Sequence, residues 1–200
     1  MRETEKHTLI VNAAAALFAK YGYKKTTVDE IVAAAGISKG LFYHYFQNKK
    51  QLYLYLYDRY TAALSESLKR EVDTGNPDFF QRLKQLSHLR IAFINQYPDL
   101  WNFLYTAYYE QHPDVAPEIR ERNNQLVQES HSGTASNLDW SRLKEGVTPD
   151  MALKVVTWMA EGFVREVNSQ QVTVDEGAYS GFDQYLELLR TGLYGPEKGG

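Results

Sequence analysis

Residues 26–52 read TTVDEIVAAAGISKGLFYHYFQNKKQL, and this stretch decides the fold. Thr27 stands three residues before Glu30, a capping-box pair that satisfies two orphan amides at a helix start. Val28, Ile31 and Val32 then recur at helical spacing. Gly36 is the residue type that takes the left-handed position closing a helix, and Ala33, Ala34 and Ala35 let a second helix come close. Ser38 caps that second helix, Lys39 to Tyr45. Leu41, Phe42, Tyr45 and Phe46 anchor it, which leaves Lys39, Gly40, Tyr43 and His44 on its other side. Two short helices at a sharp turn form a helix-turn-helix, whose second helix enters the major groove with its N-terminal residues at the base edges.

The flanks fit this reading. A first helix is expected from about Thr8 to Lys20, with Leu9, Ile10, Ala13, Ala14, Leu17 and Phe18 as one apolar stripe. Gly22 should end it, with Tyr23 under the turn and Lys24 and Lys25 exposed. On the other side, Asn48 and Gln51 form a cap-like pair for a fourth helix. Lys49 in its first turn opposes the helix dipole, a position that makes sense if a phosphate arrives there. Tyr53, Tyr55 and Tyr57 alternate as in a strand, but Leu52, Leu56, Tyr60, Ala63 and Leu64 set a longer helical pattern that prevails.

The run from Ile10 to Tyr53, with ALFAKYGY, TTVDEIVAAAGISKG and YHYFQNKKQL in order, resembles the TetR family of transcriptional regulators. The resemblance covers about the first quarter of the chain; beyond it only the helical layout and the ending match. It implies an all-α protein, with a three-helix DNA-binding domain over residues 1–50 and a helical effector-binding and dimerisation domain over 51–200. It also implies that Lys24 and Lys25 lie near the DNA backbone, and that the last two helices of each subunit join in a four-helix dimer interface.

Charge is divided the same way. Residues 1–50 hold eight Lys or Arg against four Asp or Glu, and residues 51–200 hold fourteen against twenty-one, so a net −3 conceals a basic head on an acidic body. Within the head, Thr27, Ser38, Tyr43 and Lys49 suit phosphate oxygens by type and place, which fixes register. Lys39, Gly40, Leu41 and His44 suit base edges: Lys39 for guanine, Gly40 for close approach, Leu41 for a thymine methyl or else the core, and His44 for stacking or donation.

Further along, Thr74-Gly75-Asn76-Pro77 breaks the chain, with Asn76 as cap and Pro77 at the first position of a fifth helix. Pro98 starts a sixth. Trp101, Tyr105 and Tyr108 share a face of it, with Phe93 and Tyr97 arriving from the fifth; such a stripe either lines an effector pocket or is plain core. Glu110, His112 and Asp114 are spaced as in a loop around Pro113, so no metal site is expected. A seventh helix should begin near Pro117, residues 131–137 should be a loop, and the segment Trp140 to Gly146 is a candidate short helix. Thr148-Pro149 opens an eighth helix and Thr173 with Glu176 a ninth. Val155, Met159 and Phe163 on one, and Phe182, Tyr185, Leu186 and Leu189 on the other, are the expected dimer contacts. Glu161 either pairs with Arg165 or faces a cationic ligand.

Zero cysteines exclude disulfides and thiol chemistry. The absence of GxSxG, a P-loop, a dinucleotide glycine pattern and clustered metal ligands argues against an enzyme, and no cofactor is expected. Without a leader or an apolar span, the expected location is the cytoplasm. The expectation is a homodimeric repressor on an inverted-repeat operator, released by a small hydrophobic or aromatic effector. The competing readings are control by a protein partner, action as an activator, and an enzyme with a DNA-binding-like head.

Overall fold

The computed structural model describes residues 3–135, 137–169 and 176–196, and among these it has nine helices. They are α1 (Glu3–Lys25), α2 (Val28–Ala35), α3 (Lys39–Tyr45), α4 (Lys49–Glu71), α5 (Phe79–Gln96), α6 (Pro98–Tyr108), α7 (Ala116–Ala135), α8 (Pro149–Ser169) and α9 (Glu176–Leu193). The all-α expectation holds. Packing divides the chain into two compact units, Met1–Ser67 with Gln96–Val127, and Leu68–Asn95 with Gln128–Gly200. By packing, α6 and most of α7 belong with the first four helices; the division expected at residue 50 is one of function and is taken up below.

Unit 1 forms around Ile10, Val11, Ala14, Ala15, Phe18, Ile31, Phe42, Leu52, Tyr53, Leu56, Phe103 and Ile119. Because α1 packs against both α2 and α6, its buried arc runs through Val11 and Ala15. Leu9, expected in the stripe, falls off that arc and is 38% exposed. Gly22 breaks the α1 geometry as expected, at φ 74° and ψ 175°. That φ favours a residue without Cβ. Tyr53 and Tyr57 are buried helical residues, so the strand-like alternation carried no strand. Rings of Phe18, Tyr53 and Phe103 meet edge-on near 5 Å, a geometry that adds to the area they bury.

Unit 2 has its own core of Phe79, Phe80, Ala152, Val156, Phe182, Leu186 and Tyr194. Several local expectations are corrected here. The cap of α5 is Asp78, whose Oδ1 accepts from Gln81 N at 2.9 Å; Asn76 instead makes an Asx turn to Asp78 N. Pro77 therefore precedes the cap. The reason lies in Arg82, fully buried, which donates from Nη2 to Thr74 O (2.9 Å) and Asn76 O (2.5 Å) and pins this loop. α7 continues through Ala135, so most of the expected loop at 131–137 is helical, and the turn comes at Asn137 with φ 59°. Once a helix is running, each further residue adds a hydrogen bond at little cost. Trp140 to Gly146 forms turns instead of a helix, with Lys144 N bonded to Leu193 O and Gly195 N to Arg142 O, both 2.9 Å. Thr148 caps α8 as expected, its Oγ1 accepting from Met151 N. Thr173 lies outside the described residues.

Candidate nucleic-acid interface

The helix-turn-helix is built as its residues suggest. Thr27 Oγ1 accepts from Glu30 N at 3.2 Å while Glu30 Oε2 accepts from Thr27 N at 2.8 Å, completing the capping box. Gly36 sits at φ 64° and ψ 37° and donates to the carbonyls that end α2. Ser38 Oγ accepts from Leu41 N at 3.3 Å to start α3. Phe42, fully buried, holds α3 against the α1, α2 and α4 core, and Phe46 closes it.

This anchoring leaves one side of α3 in solvent. Ser38, Lys39, Gly40, Tyr43 and His44 are exposed, Tyr43 to 50%, and Leu41 is half-buried. A Cβ built on Gly40 would meet no protein atom within 4 Å, so the surface above it is open to a groove edge. Lys39 Nζ lies 2.7 Å from Asp29 Oδ1, an exposed pair that raises the lysine pKa through the hydrogen bond first and the charge second. Such surface pairs are worth little and yield to a phosphate or base. Lys24 and Lys25 are exposed nearby in sequence, as expected.

Two of the expected phosphate contacts are committed elsewhere. The Thr27 hydroxyl also donates to Glu30 Oε2 at 2.8 Å, so its proton and its acceptor are both used inside the capping box. Lys49 sends its ammonium to Tyr23 O and Thr26 O, each at 2.8 Å, and lies 4.2 Å from the Tyr23 ring centroid. A cation that opposes the dipole of α4 thus meets carbonyls at the end of α1, where positive charge is favourable. Burial pushes the Lys49 pKa down, against the upward pull of Asp114, Glu110 and Glu30.

Sequence reading missed the rest of this joint. Thr26, fully buried, places Oγ1 2.9 Å from Gly22 O and 3.2 Å from Leu17 O. Glu110 Oε2 accepts from Tyr23 N at 3.1 Å, and its Oε1 accepts from Gln111 N and His112 N. The Tyr23 hydroxyl is 3.5 Å from Asp114 Oδ2, and its pKa is pushed up to about 12, by burial first and by Asp114 next. Glu110, His112 and Asp114 do converge, but on Tyr23. The partners lie 87 and 91 residues away from it, and no local pattern announces such a contact.

The remaining candidates divide between the units. In unit 1, Phe103, Leu104 and Ala107 are the buried face of α6, so Trp101 and Tyr105 are half-buried and Tyr97 and Tyr108 exposed. The plain-core alternative does not describe that stripe. In unit 2, Phe93 is buried. Of the expected dimer residues, Phe182 and Leu186 are buried in unit 2's own core, and Met159, Phe163 and Leu189 pack against it. They hold α8 to α9 within one chain. Val155 is half-buried, and Tyr185 is 49% exposed. Among the described side chains of α8 and α9, the large apolar ones left outside are Met151, Trp158 (66% exposed), Tyr185 and Leu188 (68%). Helical spacing in the sequence found one apolar face on each helix, and the subunit itself fills most of it.

Residues 10–56 match the family described as bacterial regulatory proteins, tetR family. The chain is 28% identical over 116 residues to the HTH-type transcriptional activator FasR of Mycolicibacterium smegmatis, covering 58% of this chain and 52% of FasR. It spans about a quarter to a half of the length of the curated relatives it matches. Over 96% of both chains it shares the fold of NalD, the secondary repressor of the MexAB-OprM multidrug efflux pump in Pseudomonas aeruginosa, with a TM-score of 0.74 at 23% identity. A SmeT–triclosan complex is similar over 96% of this chain and 93% of that one, with a TM-score of 0.71 at 16% identity. Among the described residues no helix is long and apolar enough to cross a membrane.

Proposed function

We propose that this chain, which belongs to the tetR family of bacterial regulatory proteins, is a cytoplasmic homodimer that represses transcription from an inverted-repeat operator and is released by a small hydrophobic or aromatic effector. The observation that carries the DNA-binding part is the exposed side of α3, where Ser38, Lys39, Gly40, Tyr43 and His44 stand on a buried Phe42. In this reading Ser38 and Tyr43 bond phosphates, Lys39 leaves Asp29 for a base edge, and Gly40 admits the duplex. Leu41 and His44 flank that contact, while Thr27 and Lys49 brace the head from behind, Lys49 with one donor left for phosphate.

The dimer is supported by the outward apolar residues of α8 and α9. Met151 and Trp158 recur at i, i+7 and Tyr185 and Leu188 at i, i+3, with Val155 between the first two. An apolar face of this extent marks an interaction surface. Release by an effector is supported by the half-buried Trp101 and Tyr105 beside the exposed Tyr97 and Tyr108 within unit 1, and by the triclosan complex of the structurally similar SmeT. Release requires an effector that binds one spacing of the two heads better than the other, with α4 as the lever.

Selection of bound duplexes from a random pool at fixed salt tests the whole reading, and an inverted repeat is the expected product. On that operator Tyr43→Ala should weaken binding to all sequences, whereas Lys39→Ala and His44→Ala should relax preference, by about 1–3 kcal/mol for a good base contact. Retention of full operator binding by all three variants would sink the assignment. Leu188→Asp should yield monomers in sedimentation. A second reading, activation, is favoured by the name of FasR, an activator. In-vitro transcription from a promoter carrying the selected site decides between them by the sign of the change.

A further inference from the structure

The exposed side of α3 continues onto α2. Asp29 in the first turn of α2 and Lys39 at the start of α3 are both exposed, and Lys39 Nζ lies 2.7 Å from Asp29 Oδ1. Ala33, one turn beyond Asp29, and Gly40, beside Lys39, are exposed too and carry little or no side chain. A duplex that reaches Lys39 therefore reaches Asp29.

The turn between the helices does not depend on this pair. Ile31, Ala35 and Phe42 are buried beneath it, while Gly36 closes α2 and Ser38 opens α3. The capping box takes its carboxylate from Glu30, not from Asp29. An ion pair whose side chains are 53% and 73% exposed contributes little to folding. It does decide what the surface attracts. Beside Asp29, Lys39 presents no net charge to a phosphate, and once Lys39 turns to a base edge the carboxylate is left facing DNA. Phosphates repel it there, and so do the guanine acceptors O6 and N7. Adenine sets its N6 donor next to the acceptor N7, whereas cytosine presents the N4 donor alone.

From this placement we infer that Asp29 is a base-reading residue: its carboxylate accepts from the N4 amino group of a cytosine, next to the guanine that Lys39 contacts. This rests on the proposed DNA-reading role of α3 and adds a residue of α2 to it. Asp29 weakens binding to DNA at large and favours it only where a cytosine meets the carboxylate. Specificity is the difference between those two affinities.

The test compares the full-length native protein with Asp29→Ala across a range of salt. The duplexes are the operator selected by the native protein, that operator with each G·C pair of a half-site changed in turn to A·T, and a random sequence. Asp29→Ala should bind the random duplex about fivefold more tightly, as expected when a repulsion between unit charges at about 4 Å in water is removed. Its salt slope should steepen by about one, because Lys39 then neutralises a phosphate. At one G·C pair of each half-site the native protein should discriminate about tenfold more than the variant. Lys39→Ala should lose its preference at that pair or the next. Asp29→Ala should melt close to the native protein, since an exposed pair is worth little; Asp29→Asn, equal in size and uncharged, replaces it in the random-duplex and salt measurements if it does not fold. Native discrimination by Asp29→Ala at every position, or unchanged binding to the random duplex, overturns the assignment while DNA reading by α3 stands. If the native protein selects no operator, the DNA-reading proposal itself fails and the assignment falls with it.

Discussion

Lys49 in unit 1 sends its ammonium to two carbonyls 2.8 Å away, whereas Arg90 in unit 2 lies on an apolar helix face without a bonded partner among the described residues. Both groups are partly withdrawn from water, and burial lowers the pKa of each. The difference is in what the chain has built around them. Around Lys49 it has placed the end of α1, the Tyr23 ring and three carboxylates, so the charge closes a joint. Beside Arg90 on its own helix stand Leu83, Leu86, Phe93 and Ile94, and its side chain stays part exposed. A cation with acceptors supplied by the fold is a structural part, and one whose donors are left to water is not.

The sharpest test of that contrast is Arg82, eight residues before Arg90 on the same helix. Arg82→Met removes the only donor that the loop carbonyls Thr74 O and Asn76 O have from this side chain, and buries nothing in exchange. Unfolding in denaturant should show a loss of about 3 kcal/mol, from two carbonyls stranded by a buried arginine. A loss near zero would mean that backbone acceptors are not what makes a cation structural here, and the contrast with Arg90 would break.

Next in size is Lys49→Met, for which a loss of about 2 kcal/mol is expected, since the charged donor bonds Tyr23 O and Thr26 O but remains partly exposed. Operator binding measured against salt separates this from the sequence-based role. A lysine that mainly contacts phosphate would leave stability unchanged and reduce the salt slope by about one when removed. A lysine that braces the head gives the opposite pattern.

These residues also mark how far sequence reading reaches. The caps at Thr27 and Ser38, the stop at Gly36 and the exposed side of α3 were legible, because each depends on neighbours within four residues. The position of Lys49 was noticed as anomalous, but its cause was not legible, because Tyr23 and Thr26 are reached only when α1 and α4 meet. Likewise, the apolar faces of α8 and α9 were found by their period, yet a period does not say which face the partner helix of the same chain takes. Phe182 and Leu186 went inward; Trp158 and Leu188 stayed out. Arg90 attracted no notice, since an arginine in a helix is ordinary until its surroundings are known.

A smaller effect separates local from long-range partnering within the head itself. Thr27→Ala should cost about 1 kcal/mol, the usual value of a helix cap, and should not disturb the Tyr23–Lys49 joint. Chemical denaturation of Thr27→Ala, Lys49→Met and the double variant checks this: the two losses should add, because the capping box and the joint share no hydrogen bond. Strong non-additivity would make them one network and blur the distinction between a cap fixed by sequence and a joint fixed by the fold.

The smallest effect is in acid. The Thr27 backbone amide, then its hydroxyl, hold the Glu30 carboxyl below the ordinary glutamate range. A carboxylate depressed in the folded state contributes stability that is present above its unfolded pKa and lost as pH falls through the folded one. The difference in melting temperature between the native protein and Glu30→Gln should therefore be constant near neutrality and shrink once pH drops below the usual glutamate value. Glu118, Asp139 and Glu187 are also depressed by their own partners, so only the difference between the two proteins isolates Glu30. A difference that does not change with pH would mean that the neutral amide caps α2 as well as the carboxylate does. The charge of Glu30 would then be as dispensable to its surroundings as the charge of Lys49 is needed by its own.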